Sequence, residues 1–202
     1  VIAGLVLAAG RSSRMGSLKV LLPIGGRPLV RFAIEAAGAA ALDDVVVVVG
    51  RDGDLVADTI TGFGIEGVRT VGNDDWRSGQ ASSLRAGLDA MAPGTDAAVV
   101  MLADQPTIGA AAITAVVDAF RAGAGPVVQA SYGGRPAHPT LLARPVWREL
   151  ASLTGDVGAR EAIAGHPEWR TLVEVGGDVP ADVDTQEDYE RMRLRIERAT
   201  TT

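Results

Sequence analysis

Between Gly10 and Lys19 the chain reads GRSSRMGSLK, a stretch of glycine, serine and positive charge without a single acid. It directly follows the first apolar run, in a chain of 202 residues whose net charge is −6. Glycines let a backbone approach a phosphate closely and offer it N–H groups. Arg14 and Lys19 can neutralise phosphate charge. The same residues could equally form a solvated basic loop. Spacing excludes two familiar phosphate loops. A Walker loop has four residues between its glycines, then Lys and Ser or Thr. Here five residues separate Gly10 from Gly16, and Lys19 is followed by Val20. The G-x-G-x-x-G pattern of dinucleotide binding is absent after the first apolar run.

Three carboxylates stand out against this loop. Asp104 closes the apolar run VVMLA, and Pro106 stops that run from continuing as a strand. Such an Asp can bind a metal or simply cap a turn. Asp182 and Asp184 lie two apart in ADVDT. In an extended segment that spacing points both side chains to one face. Two acids there repel unless a cation or a basic group sits between them. Thr185 and Asp188 also fit a capping box that opens a last helix from about Gln186, which gives the same motif a structural role. Magnesium suits these acids, since it prefers oxygen ligands and is often held by one or two carboxylates plus phosphates; manganese is the alternative. Two histidines far apart and no cysteine do not suggest zinc.

The remaining polar motifs are ambiguous on their own. SGQASSLRAG reads as a helix start with Ser78 as its cap. Gln80, Ser82 and Ser83 there either bond a ligand or form the polar first turn of an amphipathic helix. His138 in GGRPAHP is a loop histidine beside proline, a setting that is more often structural than catalytic. TGDVGAR could be a helix capped by Asp156.

The elements that must position these residues are legible as alternating runs. AGLVLAA, DDVVVVVG, EGVRTV, DAAVVMLAD and GPVVQAS read as strands. Unbroken valine from Val45 to Val49 indicates a strand buried on both faces. Ile113, Val116, Val117 and Phe120 follow helical spacing, and Ala81, Leu84, Leu88 and Met91 form another apolar stripe. Strand–helix alternation implies an α/β fold: a three-layer α/β/α arrangement around a mostly parallel, Rossmann-like sheet. Ligands in such sheets bind beyond the carboxyl ends of the strands. The basic loop, NDDWRSGQASS and DQP each follow a strand. From about Tyr132 the rhythm fails, and YGGRPAHPTLLARP reads as an excursion rather than another strand–helix unit.

Composition narrows the function classes. The acidic balance argues against a dedicated nucleic-acid binder. No apolar run approaches 18 residues, so no membrane span is expected. VIAGLVLAAG has no basic leader and reads as a globular strand rather than a signal peptide. The absence of cysteine excludes disulfides, thiolate metal sites and a cysteine nucleophile, and points towards the cytoplasm.

LAAGRSSRMGSLKVLLP resembles the signature of the nucleotidyltransferases that activate sugars and pterins. SGQASSLRAG, LADQP, RPAHPTLL, GDVGAR and DVDTQEDY continue the resemblance in order along nearly the whole chain, and they are most similar to the molybdenum cofactor cytidylyltransferase group. The resemblance implies one nucleotidyltransferase domain over 1–202, with a nucleotide-binding part at about 1–130 and an acceptor-binding part at about 131–202. It implies nucleotide contacts from Leu7, Ala8, Ala9, Gly10 and Arg11, mainly through backbone, and triphosphate contacts from Arg14 and Lys19. It gives Gln80, Ser82 and Ser83 to nucleotide recognition, Asp104 and Asp184 to the metal with Asp182 as a weaker candidate, and Arg135, His138, Asp156 and Arg160 to the acceptor side. Two departures matter. Guanylyl-transferring relatives tend to have Gly where Ala9 stands, which leans towards cytosine. Relatives usually have Gly-His-Pro where this chain has Ala137 before His138.

The implied activity is Mg²⁺-dependent transfer of CMP from CTP to molybdopterin with release of pyrophosphate. The alternatives are guanylyl transfer, transfer to another phosphorylated acceptor, a non-catalytic nucleotide-binding protein, and a carrier that hands the cofactor to a molybdenum hydroxylase client. Nucleic acid and membrane are not expected partners.

Overall fold

The structure is a computed structural model that describes residues 1–10, 18–152 and 159–200. The chain opens with β1 (Ile2–Leu7) and, after the basic loop, a two-residue hairpin, β2 (Pro23–Ile24) and β3 (Arg27–Pro28). Then come α1 (Leu29–Ala39), β4 (Val45–Val49), α2 (Gly53–Thr61), β5 (Val68–Gly72) and α3 (Gln80–Asp89). The second half holds β6 (Ala97–Leu102), α4 (Ala110–Arg121), β7 (Val127–Tyr132) and β8 (Arg135–Ala143). It closes with α5 (Arg144–Ala151), α6 (Ala159–Gly165), β9 (Arg170–Glu174) and α7 (Gln186–Thr200).

Seven strands form one sheet in the order β5-β4-β1-β6-β8-β7-β9. β4 and β6 flank β1 in parallel, and β8 pairs antiparallel with both β6 and β7. Every strand but β8 therefore runs the same way. Alternate residues of each strand bury into opposite layers. Val45, Val47 and Val49 pack against α1, α2 and α4, through residues such as Val30, Ile34, Val56 and Ile113. Val46 and Val48 pack against α3, α5 and α6, through Leu84, Leu88, Trp147 and Ile163. This is the three-layer α/β/α fold expected from the alternation of runs. Among the described residues no helix is long and apolar enough to cross a membrane.

The stretch after Tyr132 corrects the expected excursion. β8 returns into the interior of the sheet, and its Thr140–Ala143 half is fully buried. Its two prolines hide it, because proline cannot donate to a ladder. The register jumps from Gln129↔Thr140 to Ala130↔Ala137, so His138 and Pro139 stand outside the pairing. Pro139 needs no ladder partner there. β9 and the β2–β3 hairpin were not read from the sequence at all; β9 is a half-exposed edge strand with weak apolar signal.

Helix α3 lies unusually close to the sheet. A Cβ on Gly87 would fall 2.4 Å from Leu5 Cδ1 and 2.9 Å from Val48 Cγ2, both in the packed core. We expect Gly87→Ala to destabilise by about 1–2 kcal/mol, the overpacking outweighing the gain in helix propensity. Gly38 in α1 has open space where its Cβ would go, so Gly38→Ala should stabilise by about 0.5–1 kcal/mol. Urea unfolding midpoints of the two variants, moving in opposite directions, check this.

Candidate functional site

The carboxyl ends of β1, β4, β5 and β6 share one edge of the sheet, and the motifs converge there. Ala8 N donates to Val48 O (2.9 Å) and Ala103 N donates to Leu7 O (3.1 Å). These bonds fasten the turn after β1 between the turns after β4 and β6. Ala8 and Ala9 are buried, and Gly10 is exposed. Arg11, Arg14 and Asp156 lie outside the described residues.

Lys19, Asp104 and Asp184 meet at this edge. Lys19 Nζ donates to Asp104 Oδ2 (2.7 Å) and to Asp184 Oδ1 (3.0 Å). The lysine is 6% exposed and sits on a short 3₁₀ turn, Lys19–Leu21. Burial alone would lower its pKa. The charge of Asp104, with the hydrogen bonds to Asp104 and Asp184, outweighs that and holds it above the usual lysine value. Val183 N donates to Asp104 O (3.0 Å), while the Val183 side chain is fully buried with Ile24, Leu29 and Met192. Asp182 and Asp184 thus flank a buried valine, and Asp184 is joined to the turn after β6 through Lys19. Asp182 accepts from Gln105 Nε2 (2.8 Å). Burial raises the Asp182 pKa, with the charges of Asp104 and Asp184 adding to it. The capping box is formed: Thr185 N donates to Asp188 Oδ2 (2.9 Å), and Asp188 N donates to Thr185 Oγ1 (3.1 Å).

The donor set suits a hard divalent cation. The Lys19 ammonium acts as a stand-in, since it shows that one position can be reached by both Asp104 and Asp184. Among the described residues no group of three or more His, Cys, Asp or Glu side chains forms a metal cage. Two carboxylates that leave the other positions to phosphate oxygens and water are the arrangement magnesium accepts.

One cavity adjoins this cluster, and a second adjoins the first. The first, of about 220 Å³, is lined by Ala9, Gly10, Trp76, Gly79, Ser83 and Asp104, among others. The second, of about 80 Å³, is lined by Gln129, His138, Thr140, Arg160 and Ile163 among others. Leu7 and Gln80 line both. Trp76 can close the first cavity because a glycine follows β4: a Cβ on Gly50 would fall 2.9 Å from both Ala9 Cβ and Trp76 Cβ.

The two serines of α3 have different surroundings. Ser83 lines the first cavity. Ser82 Oγ lies 2.8 Å from Gly79 O and 2.9 Å from Asp75 O, either of which can take its proton. The buried Asn73 Nδ2 donates to both hydroxyls, at 2.9 and 3.0 Å, and so braces the loop after β5 on the helix. Ser78 is not the helix cap that SGQASS suggests. It ends a 3₁₀ turn and bonds back to Asp75 (2.7 Å to Oδ2), and Gly79 holds the cap position.

His138 Nδ1 lies 3.2 Å from Val100 O. A carbonyl only accepts, so Nδ1 carries the proton. Burial lowers the His138 pKa, which keeps the ring neutral at pH 7. Arg160 joins it on the second cavity, whereas Arg135 is exposed beside the β7–β8 turn. Gln105, Asn73 and Trp76 were missed as site residues. Gln105 and Trp76 stood inside the motifs DQP and NDDWRSGQASS, but nothing in their spacing marks what they face.

Comparisons with known proteins bear on the family and the fold. Residues 4–171 match the family model described as the MobA-like NTP transferase domain. The nicotine blue oxidoreductase of Paenarthrobacter nicotinovorans is 33% identical over 168 residues, covering 79% of each chain. The bifunctional protein GlmU of Sinorhizobium medicae is 37% identical over 142 residues, which cover 69% of this chain but only 30% of that protein. The crystal structure of Rv0371c from Mycobacterium tuberculosis H37Rv superposes with a TM-score of 0.82 at 31% identity, covering 96% of this chain and 98% of that one. Rv0371c has also been solved in complex with manganese. With a Rossmann-like sheet and a family match over residues 4–171, the chain belongs to the MobA-like NTP transferase domain family.

Proposed function

We propose that the chain transfers CMP from CTP to molybdopterin and releases pyrophosphate. The observation that supports this reading is a cavity beside Asp104 that shares Leu7 and Gln80 with a second cavity, an arrangement that would bring a nucleotide and an acceptor together at the carboxyl edge of the sheet. Residues up to about 130 build most of the nucleotide side, and residues after 131 most of the acceptor side.

The acceptor is a phosphate monoester. Its second pKa is about 6, so it is largely dianionic at neutral pH. One of its oxygens attacks the α-phosphorus of CTP while the bond to pyrophosphate breaks in line. Pyrophosphate leaves as an anion, so neither a general base nor a general acid is required. Catalysis then rests on alignment and charge. The backbone from Leu7 to Arg11 holds the nucleotide. Arg14 and Lys19 offset the triphosphate charge. Asp104 and Asp184 hold a divalent cation, magnesium or manganese, which when bound supplies charge neutralisation at the phosphate oxygens. Gln80, Ser82 and Ser83 form the nucleotide-recognition turn, Ser83 facing the base and Ser82 bracing it. Arg160, His138, Arg135 and Asp156 serve the acceptor.

The Ala9 methyl narrows the first cavity and favours a pyrimidine over a purine. We expect kcat/KM for CTP to exceed that for GTP by at least about tenfold, the scale of a methylene-sized change in a pocket. A higher value with GTP would reassign the base and leave the transferase class standing. The decisive assay crosses four NTPs with phosphorylated acceptors, molybdopterin among them, and reads pyrophosphate. An arm with nicotine blue, followed by its absorbance, tests the redox chemistry for which one relative is named. Nucleotide binding by calorimetry without pyrophosphate release from any pair would return the chain to the binding-protein or carrier reading.

A further inference from the structure

Asp184 rides on an irregular segment. From Val175 to Thr185 the chain forms neither helix nor strand, yet it holds Asp184 beside Asp104 at the sheet edge. Among the described residues, three hydrogen-bonded contacts join its Asp182–Asp184 stretch to Lys19 and the turn after β6. Lys19 bridges the two carboxylates. Val183 N donates to Asp104 O. Gln105 Nε2 donates to Asp182 Oδ1 at 2.8 Å. The lysine bridge is the one that a phosphate or an incoming cation competes for. The backbone bond and the buried Val183 side chain fix the middle of the segment, and the Asp188 cap fixes its end. The Gln105 contact is the tie made to the Asp182 carboxylate itself.

Gln105 is 7% exposed, and its Oε1 is buried with no partner among the described residues. A carboxylate only accepts, so the amide must present Nε2 to Asp182; the flipped amide would set oxygen against oxygen. The orientation is kept although it leaves Oε1 unsatisfied, which marks the bond to Asp182 as the contact that decides this side chain's position. Gln105 also occupies the third acid of the cluster and keeps it from turning towards the cation position.

We infer that Gln105 is a positioning residue: by holding Asp182 it sets the spacing of Asp104 and Asp184 and so the affinity of that pair for a divalent cation. The inference rests on the metal role proposed for the pair. Mn²⁺ alone is the probe, titrated into the full chain, with free Mn²⁺ followed by its electron paramagnetic resonance signal well below the melting temperature. Gln105→Leu should weaken binding by roughly tenfold, the scale of losing a partner that orients a metal ligand. Asp182→Asn keeps an oxygen that can accept from Nε2, and should weaken binding by no more than about threefold on the same scale. In an Asp182→Ala background, Gln105→Leu should have no further effect, because the two act through one bond. A residue that merely supports the fold would lower the melting temperature and leave Mn²⁺ affinity alone. Unchanged Mn²⁺ affinity in Gln105→Leu, or losses that multiply in the double variant, overturn the inference while the metal site stands. No Mn²⁺ uptake by the wild-type protein overturns both. If Gln105→Leu does not fold, Gln105→Met, of similar length and without a donor, carries the same expectations.

Discussion

Asp104→Asn and Asp184→Asn should each cut turnover by at least about 100-fold, the scale seen when one preorganised charge-stabilising group is removed from a transfer site. Asparagine keeps the shape of the side chain and removes its negative charge. It therefore weakens the hold on a divalent cation and disturbs the Lys19 cluster with little change in packing. Where activity survives, half-maximal rate should require more Mg²⁺. Asp182→Asn should be far milder, because it can still accept from Gln105. Melting curves must accompany the assays. Asp184 N lies 3.3 Å from Asp188 Oδ2, next to the cap of α7, so a fault there could imitate a catalytic loss. If folded Asp104→Asn and Asp184→Asn proteins turn over normally at limiting Mg²⁺, the metal-site reading is wrong.

Lys19→Ala should also lose most activity, through weaker triphosphate binding and slower transfer, and here the structure changes the expected effect on stability. Read from sequence, Lys19 is a loop lysine whose loss leaves the fold unaffected. In the structure it is buried between two carboxylates. Its removal leaves Asp104 and Asp184 facing each other uncompensated. A loss of about 2 kcal/mol follows, the scale of a charged hydrogen bond. Most of it comes from Asp104, because Asp184 is half exposed and solvent screens it. The folded-state pKa of Lys19 is raised, so its contribution is fully present at neutral pH and is lost only as pH climbs through that value, above the ordinary lysine range. Saturating Mg²⁺ should lift the melting temperature of the variant more than that of the wild type, since the metal then fills a position no ammonium contests. Normal kinetics with an unchanged melting temperature would remove Lys19 from both roles.

The parts of this molecule that can be read from sequence are those in which one local pattern has one physical meaning. Val45–Val49 is apolar at every position because both faces are covered, and β1 and β6 read the same way. The capping box was legible because Thr185 and Asp188 bond each other within a single turn. β8 was not, because Pro136 and Pro139 signal a loop and only the register shift beside β7 reconciles them with a strand. Ser82 and Ser83 are adjacent and chemically identical, and a rotation of one residue along a helix sends one into the cavity and the other into the protein. Lys19 is separated from Asp104 by 85 positions and from Asp184 by 165. Their meeting is fixed by strand order, which no local window contains. Gln105 was the least visible, since its role lies wholly in an amide aimed at a carboxylate 77 positions away.

The reversed strand has a consequence for how the chain is made. β6 and β7 follow one another along the chain but are not neighbours in the sheet, because β8, synthesised after both, lies between them. As the polypeptide leaves the ribosome, the apolar edge of β6 waits unpaired for more than thirty residues. The half-sheet β5-β4-β1-β6 can assemble early, whereas β7 and β9 can join it only through β8. Such delayed, non-local closure is slow and leaves strand edges open to other nascent chains. His138 and Thr140, which line the second cavity, ride on this late strand, so the walls of the first cavity can take shape before those of the second exist.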